Sequence, residues 1–226
     1  MPYPTPDGVV FDCDATLSAL EGIDELAAQA GVVTEVSSLT HRAMNGDIPL
    51  ETIYGERLAL IHPPRASLAA IARHYQETIV PGAREIIAAL QARGIKTAIV
   101  SGGLLDAVLP LAAAVGVAAA DTFAVSLQFD DAGNYLRYLD NPLTTAGGKA
   151  EVVAAWKKQH DLKYVVMVGD GMSDVAARAP NAADHIIGYG GVVERASVRA
   201  AADQYSTARD LCELLSLILG DAIAGK

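Results

Sequence analysis

The stretch VVFDCDATLS, Val9–Ser18, decides how the rest of the chain is read. It opens on a short apolar run without polar alternation, the pattern of a strand buried on both faces. The run stops at Asp12, and Asp14 follows one residue later. Residues two apart in extended backbone point to the same side. Two carboxylates aimed at one point repel, so one must take up a proton or swing away. A divalent cation with a preference for hard oxygen ligands, Mg²⁺ or Ca²⁺, removes the conflict. Taken alone, the pair reads equally well as a helix cap beside a solvated strand end.

Three further runs have the same character: Lys96–Ser101, Tyr164–Gly169 and His185–Gly188, beside Gly8–Asp12 itself. Helix-length amphipathic stretches lie among them, Ala83–Arg93, Leu105–Val115, Lys149–His160 and Ser173–Arg178. Buried strands alternating with helices predict a Rossmann-like α/β core, a parallel sheet with helices on both faces. The segment VSLQFDDAGNYLRYLD departs from this rhythm. Two extended runs around DDAGN predict a β-hairpin added to the sheet. From Leu17 to about Val80 the pattern is helical with no core strand, and GIDELAAQAG ends on Gly31, a C-cap. The chain therefore divides into a core of residues 1–17 and 82–226 and a helical cap of residues 18–81. The cap enters at the carboxyl end of the first strand, where open α/β sheets place their ligand crevice.

Other strand ends carry chemistry too. VMVGDGMSD, Val166–Asp174, ends in Asp170 and Asp174. Acids that end separate strands of one parallel sheet gather at the same edge, which makes a cation site of what would otherwise be separate caps. IVSGG, Ile99–Gly103, offers the Ser101 hydroxyl and the Gly102 and Gly103 amides to an anion, or forms a plain glycine turn. In TTAGGKAEVV, Lys149 opens a helix against the helix dipole, which suits a phosphate partner more than a solvated lysine. Carboxylates, a hydroxyl, amides and a lysine suit phosphoryl transfer, where positioning and charge neutralisation carry most of the catalysis.

The bulk numbers agree. The 226 residues are 51% hydrophobic and 19% charged, enough for a sizeable core and too apolar for disorder. A net charge of −10 argues against nucleic acid and anionic membranes as partners, so an anionic substrate must be met by local cations. Cys13 and Cys212 are too few for a disulfide framework, and the N-terminus MPYPTPDG has no signal-peptide pattern, so a cytoplasmic protein is expected. Cys13 is expected in the core and Trp156 in helix packing.

DCDAT, SGG, the lysine after AGG and GDGMSD occur in the order of the haloacid dehalogenase superfamily of phosphatases, which this chain resembles. EGIDELAAQAGV, HRAMNGDIPL, ERLALIHP, PGAREII and IIGYGGVVERASV resemble the phosphoserine phosphatase branch, so that the likeness runs from Val9 to about Tyr205. The resemblance implies hydrolysis of the small molecule O-phosphoserine through a phosphoaspartate, as the last step of serine synthesis. It implies Asp12 as nucleophile and Asp14 as the acid and base. Mg²⁺ would be held by Asp12, the main-chain carbonyl of Asp14 and Asp170, with Asp174 in support. Ser101, Gly102, Gly103 and Lys149 would hold the phosphate, and Thr16 would orient the first loop. In the cap, Glu21 would meet the substrate ammonium and Arg57 its carboxylate, with Met44 and Ser173 lining the site. Leu50, Asn45 and Ser173 depart from the residues usual in the branch, which bears on substrate preference. Another small phosphomonoester, phosphoryl transfer to an acceptor, or a phospho-acceptor module without turnover are the alternatives. The sequence leaves the oligomeric state open, a homodimer included.

Overall fold

A computed structural model describes residues 3–44 and 50–220. In chain order the elements are β1 (Gly8–Phe11), α1 (Gly22–Ala30), α2 (Val33–Met44), α3 (Leu50–Ile61), α4 (Arg65–Glu77), α5 (Ala83–Gln91), β2 (Lys96–Leu104), α6 (Leu105–Val115), β3 (Thr122–Val125), β4 (Leu127–Phe129), β5 (Tyr135–Tyr138), α7 (Gly148–Gln159), β6 (Val165–Gly169), α8 (Met172–Val175), β7 (His185–Tyr189), α9 (Ala196–Ala201), β8 (Gln204–Ser206) and α10 (Leu215–Ile218). Among the described residues six strands form a parallel sheet in the order β3-β2-β1-β6-β7-β8. The order runs outward in both directions from the β1–β6 pair. With right-handed crossovers this sends helices to opposite faces and opens a crevice at the switch.

Val9, Val10, Phe11 and Val165 to Val168 have no exposed surface, as the unbroken apolar runs require of strands covered on both faces. Phe11 aligns with Ile99 on one side and Val168 on the other. The chain ends of β1, β2 and β6 therefore deliver Asp12, Ser101 and Asp170 to one edge. Trp156 is buried in α7 and bonds Asp121 through Nε1 at 2.8 Å, and Cys13 is buried.

The structure adds two edge strands, β3 and β8: TFAV is only four residues long and runs straight into the hairpin, and QYS is short and polar. It also corrects the hairpin. β4 and β5 pair only with each other and do not join the main sheet. Their aromatic side chains turn instead toward the helices inserted after β1. Tyr138 packs edge-on to Tyr54 at 5.4 Å, and Arg65 lies 5.0 Å over Phe129. The helix expected over Ser173–Arg178 is a single turn, Met172–Val175.

The insertion contains α1 to α4. It is pinched at its neck where Ser18 and Ile79 pair antiparallel. Gly31 ends α1 at φ 73°, donating to the Ala27 and Ala28 carbonyls, as its C-cap role requires. Hydrogen bonds tie the insertion to the crevice edge, among them Tyr54 donating to the Gly102 carbonyl at 3.0 Å and Ala146 N–H donating to Glu51 at 3.2 Å.

Candidate active site

A cavity of about 580 Å³ lies between the sheet edge and the insertion. Asp12, Asp14, Ser101, Lys149 and Asp170 line it from below, and Glu21, Tyr54, Arg57 and Tyr75 from above. Met44 lies in α2, but its side chain, like that of Leu50 and all of Asn45, falls outside the described residues.

Asp12 leaves the end of β1 with its amide bonded to the Val168 carbonyl at 2.9 Å. Its carboxylate meets those of Asp170 and Asp174, one oxygen from each lying within 4.8 Å of the others. All three residues are buried. Burial and repulsion by Asp12 hold the Asp170 and Asp174 carboxyls above the usual carboxylate range. That is the conflict a divalent cation resolves, and an all-oxygen donor set suits a hard one.

Two side-chain cations already reach the cluster. Lys149 is 5% exposed, and its Nζ stands 2.8 Å from Asp12 Oδ1 and 2.6 Å from Asp174 Oδ1. Burial opposes its charge, but the two carboxylates prevail and raise its pKa. Arg195 Nε donates to Asp170 Oδ2 at 2.9 Å while a terminal nitrogen donates to Glu21 Oε1 at 3.0 Å. Burial and the repulsion of Asp14 and Asp170 nevertheless push Glu21 up to about 8.

Asp14 faces a different environment. Its Oδ1 accepts hydrogen bonds from Gly22 N–H and Tyr75 O–H, both at 2.6 Å. Burial, then repulsion by Asp12, raises its carboxyl to about 6. Ala15 next to it takes φ 49°, a left-handed conformation that costs an alanine about 1 kcal/mol and turns the chain sharply away from the strand. Thus the two neighbouring acids occupy different settings: one lies against a lysine in the acid cluster, while the other, clamped by two donors, can carry a proton near neutral pH.

Ser101 is fully buried, and its Oγ accepts from Gly103 N–H at 3.0 Å. Ser173 lines the cavity. Arg57 lies 5.9 Å from the Tyr54 ring, and its Nε is buried without a partner among the described residues. Burial lowers its pKa. A guanidinium so placed suits an incoming carboxylate. Thr16 Oγ1 is likewise buried without a partner, so no hydrogen bond from that hydroxyl supports the loop-orienting role expected of it.

The structure thus gathers Asp12, Asp14, Glu21, Arg57, Ser101, Gly102, Gly103, Lys149, Asp170 and Ser173 around one cavity, with Asp174 behind it. Sequence reasoning missed Tyr54, Tyr75 and Arg195. Arg195 sits within GGVVERASV and had a signal there, as an arginine between glycines and a helix start. The two tyrosines had none, because their partners are distant in sequence.

Comparison with known proteins agrees with this geometry. The sequence pattern of haloacid dehalogenase-like hydrolases matches residues 6–180. The chain is 38% identical over 210 residues to a phosphoserine phosphatase of Homo sapiens, covering 92% of each chain. It is 36% identical over 198 residues to the chloroplastic phosphoserine phosphatase of Arabidopsis thaliana, covering 87% of this chain and 67% of that one. A solved phospho-aspartyl intermediate analogue of phosphoserine phosphatase superposes with a TM-score of 0.79 at 29% identity, covering 95% of this chain and 99% of that one. A substrate-bound phosphoserine phosphatase complex does so with a TM-score of 0.78 at 28% identity, covering 92% and 96%. With its acid-ended strands, its helical insertion and this likeness along nearly its whole length, the chain belongs to the haloacid dehalogenase-like hydrolases, in the branch of the phosphoserine phosphatases.

Proposed function

We propose that this chain hydrolyses O-phosphoserine to serine and phosphate through a phosphoaspartate on Asp12, as the last step of serine synthesis in the cytoplasm. One observation carries the substrate reading. A single cavity presents Lys149 and the Ser101 hydroxyl, Glu21, and an Arg57 whose buried Nε has no partner among the described residues, groups complementary to a phosphate, an ammonium and a carboxylate.

Asp12 attacks phosphorus in line with the leaving serine oxygen, and Asp14 gives that oxygen a proton. A water then attacks the phosphoaspartate while Asp14 takes its proton back. Ser101, the amides of Gly102 and Gly103, and Lys149 hold the phosphate oxygens. Asp12, Asp170 and the main-chain carbonyl of Asp14 would hold Mg²⁺, with Asp174 in support. Bound there, Mg²⁺ supplies charge neutralisation to the phosphoryl group. Glu21 pairs with the substrate ammonium and Arg57 with its carboxylate, and Ser173 lines the pocket. Residues 18–81 act as a cap domain that closes over the core and excludes bulk water. Two free cysteines, one buried and one exposed, fit a reducing compartment, and no described helix is long and apolar enough to cross a membrane.

The test is phosphate release from a panel of small phosphomonoesters, with Mg²⁺ and with chelator. The expected result is preference for phosphoserine and loss of turnover on chelation. Preference for another ester, or an Asp12 phosphoryl group that persists without phosphate release, would overturn the reading.

A further inference from the structure

Tyr75 lies in the last turns of α4, is 1% exposed and donates to Asp14 Oδ1 at 2.6 Å. Gly22, the first residue of α1, donates its N–H to the same oxygen at 2.6 Å. Both elements belong to the helical insertion. The other oxygen, Oδ2, receives no hydrogen bond among the described residues and lies on the phosphate-loop side, where a Cβ on Gly103 would stand 3.0 Å from it. A carboxyl oxygen that already accepts two hydrogen bonds is the poorer seat for a proton, because its lone pairs are in use. The proton of Asp14 therefore belongs on Oδ2, facing the reacting group.

From this geometry we infer that Tyr75 is a positioning residue: together with the Gly22 amide it clamps Asp14 Oδ1, so that Oδ2 is the atom that passes the proton to the leaving group. The inference rests on the acid–base role given to Asp14 above. As the Asp12 oxygen–phosphorus bond forms, the phosphorus–oxygen bond to serine breaks. Its electron pair stays on the serine oxygen, which takes the proton from Oδ2. In the second step water oxygen bonds to phosphorus, its proton goes to Oδ2, and the electrons of the Asp12 oxygen–phosphorus bond return to Asp12. A tyrosine whose hydroxyl served packing alone would leave these steps untouched.

A leaving group that needs no proton separates the two roles. The rate constant of the first turnover is measured for phosphoserine, an alkyl ester, and for p-nitrophenyl phosphate, whose phenolate departs unaided. Tyr75→Phe should slow the first turnover with phosphoserine about tenfold more than with p-nitrophenyl phosphate, with KM for phosphoserine within about twofold of the parent. Equal slowing of both substrates, or of neither, overturns the inference. Gly22→Ala gives an independent route to the same bond, since its Cβ would stand 2.3 Å from the Tyr75 hydroxyl and must push it off Asp14. It should produce the same selective loss, and it keeps the test open where Tyr75→Phe does not fold. If the parent protein leaves phosphoserine untouched, the substrate reading fails. The comparison then runs on the best alkyl ester of the panel and still decides the role of Tyr75.

Discussion

Lys149 stands 2.8 Å from Asp12 inside a buried cluster of like charges. The lysine offsets part of the repulsion among the three acids. Asp12→Asn retains the shape and removes the proposed nucleophile. Its kcat should fall about a thousandfold or more, with the fold intact by circular dichroism. Turnover near the parent rate would remove Asp12 from the chemistry.

Glu21 and Arg57 should act on substrate choice. Glu21→Gln removes the carboxyl that an incoming ammonium draws into its ionised form, and should raise KM for phosphoserine about tenfold, with less than about twofold change for phosphomonoesters that lack an amine. Arg57→Lys keeps the charge but not the fork, and should raise KM about tenfold for esters that carry a carboxylate. Equal loss on every ester would dissociate these residues from recognition.

The start of α7 is a second sensitive point. A Cβ on Gly148 would fall 1.7 Å from the Pro142 carbonyl, so Gly148→Ala must displace the first turn and the neighbouring Lys149. A shift of about 1 Å in such a group costs about 100-fold in rate, which is the drop expected in kcat/KM. An active Gly148→Ala enzyme would mean that Lys149 tolerates the displacement.

Crowded acids also give the metal-free protein a characteristic pH response. The Asp14 carboxyl is raised to about 6 and Glu21 to about 8, and Asp170 and Asp174 are raised as well. Protonated in the native state at pH values where the unfolded chain has lost those protons, these groups favour folding at low pH. That contribution is complete below about pH 4 and fades as pH rises toward 8. In chelator, the melting temperature should therefore decline between pH 5.5 and 8. Mg²⁺ should restore more of it at pH 8 than at pH 5.5, since it favours the ionised carboxylates. A chelated protein that grows more stable over that interval would contradict the buried-acid geometry.

Local patterns carried most of the fold into the sequence. The buried strands were legible because each is a continuous apolar run closed by Gly, Asp or Ser, and Leu105–Val115 was recovered with its bounds. The edge strands β3 and β8 were not: TFAV is four residues merging into the hairpin, and QYS carries no apolar run. The hairpin was visible from its turn, but its docking on the insertion depends on Tyr54, Arg65 and the hairpin aromatics meeting in space. The acids, Ser101 and Lys149 announced themselves by their strand-end and helix-start settings. Tyr75 carries no such mark. It is one residue in an amphipathic helix, and only the approach of α4 to the loop after β1 makes it a neighbour of Asp14.

The position of β1 between β2 and β6 has a consequence for biosynthesis. A nascent chain leaving the ribosome holds β1, the insertion and β2 long before β6 exists. Until then one edge of β1, with Val9, Val10 and Phe11, lies unpaired and the Asp12 carboxylate lacks its partners from GDGMSD. A truncated or stalled product therefore presents a sticky apolar edge without any enzyme activity, and it needs shielding until the last third of the polypeptide arrives.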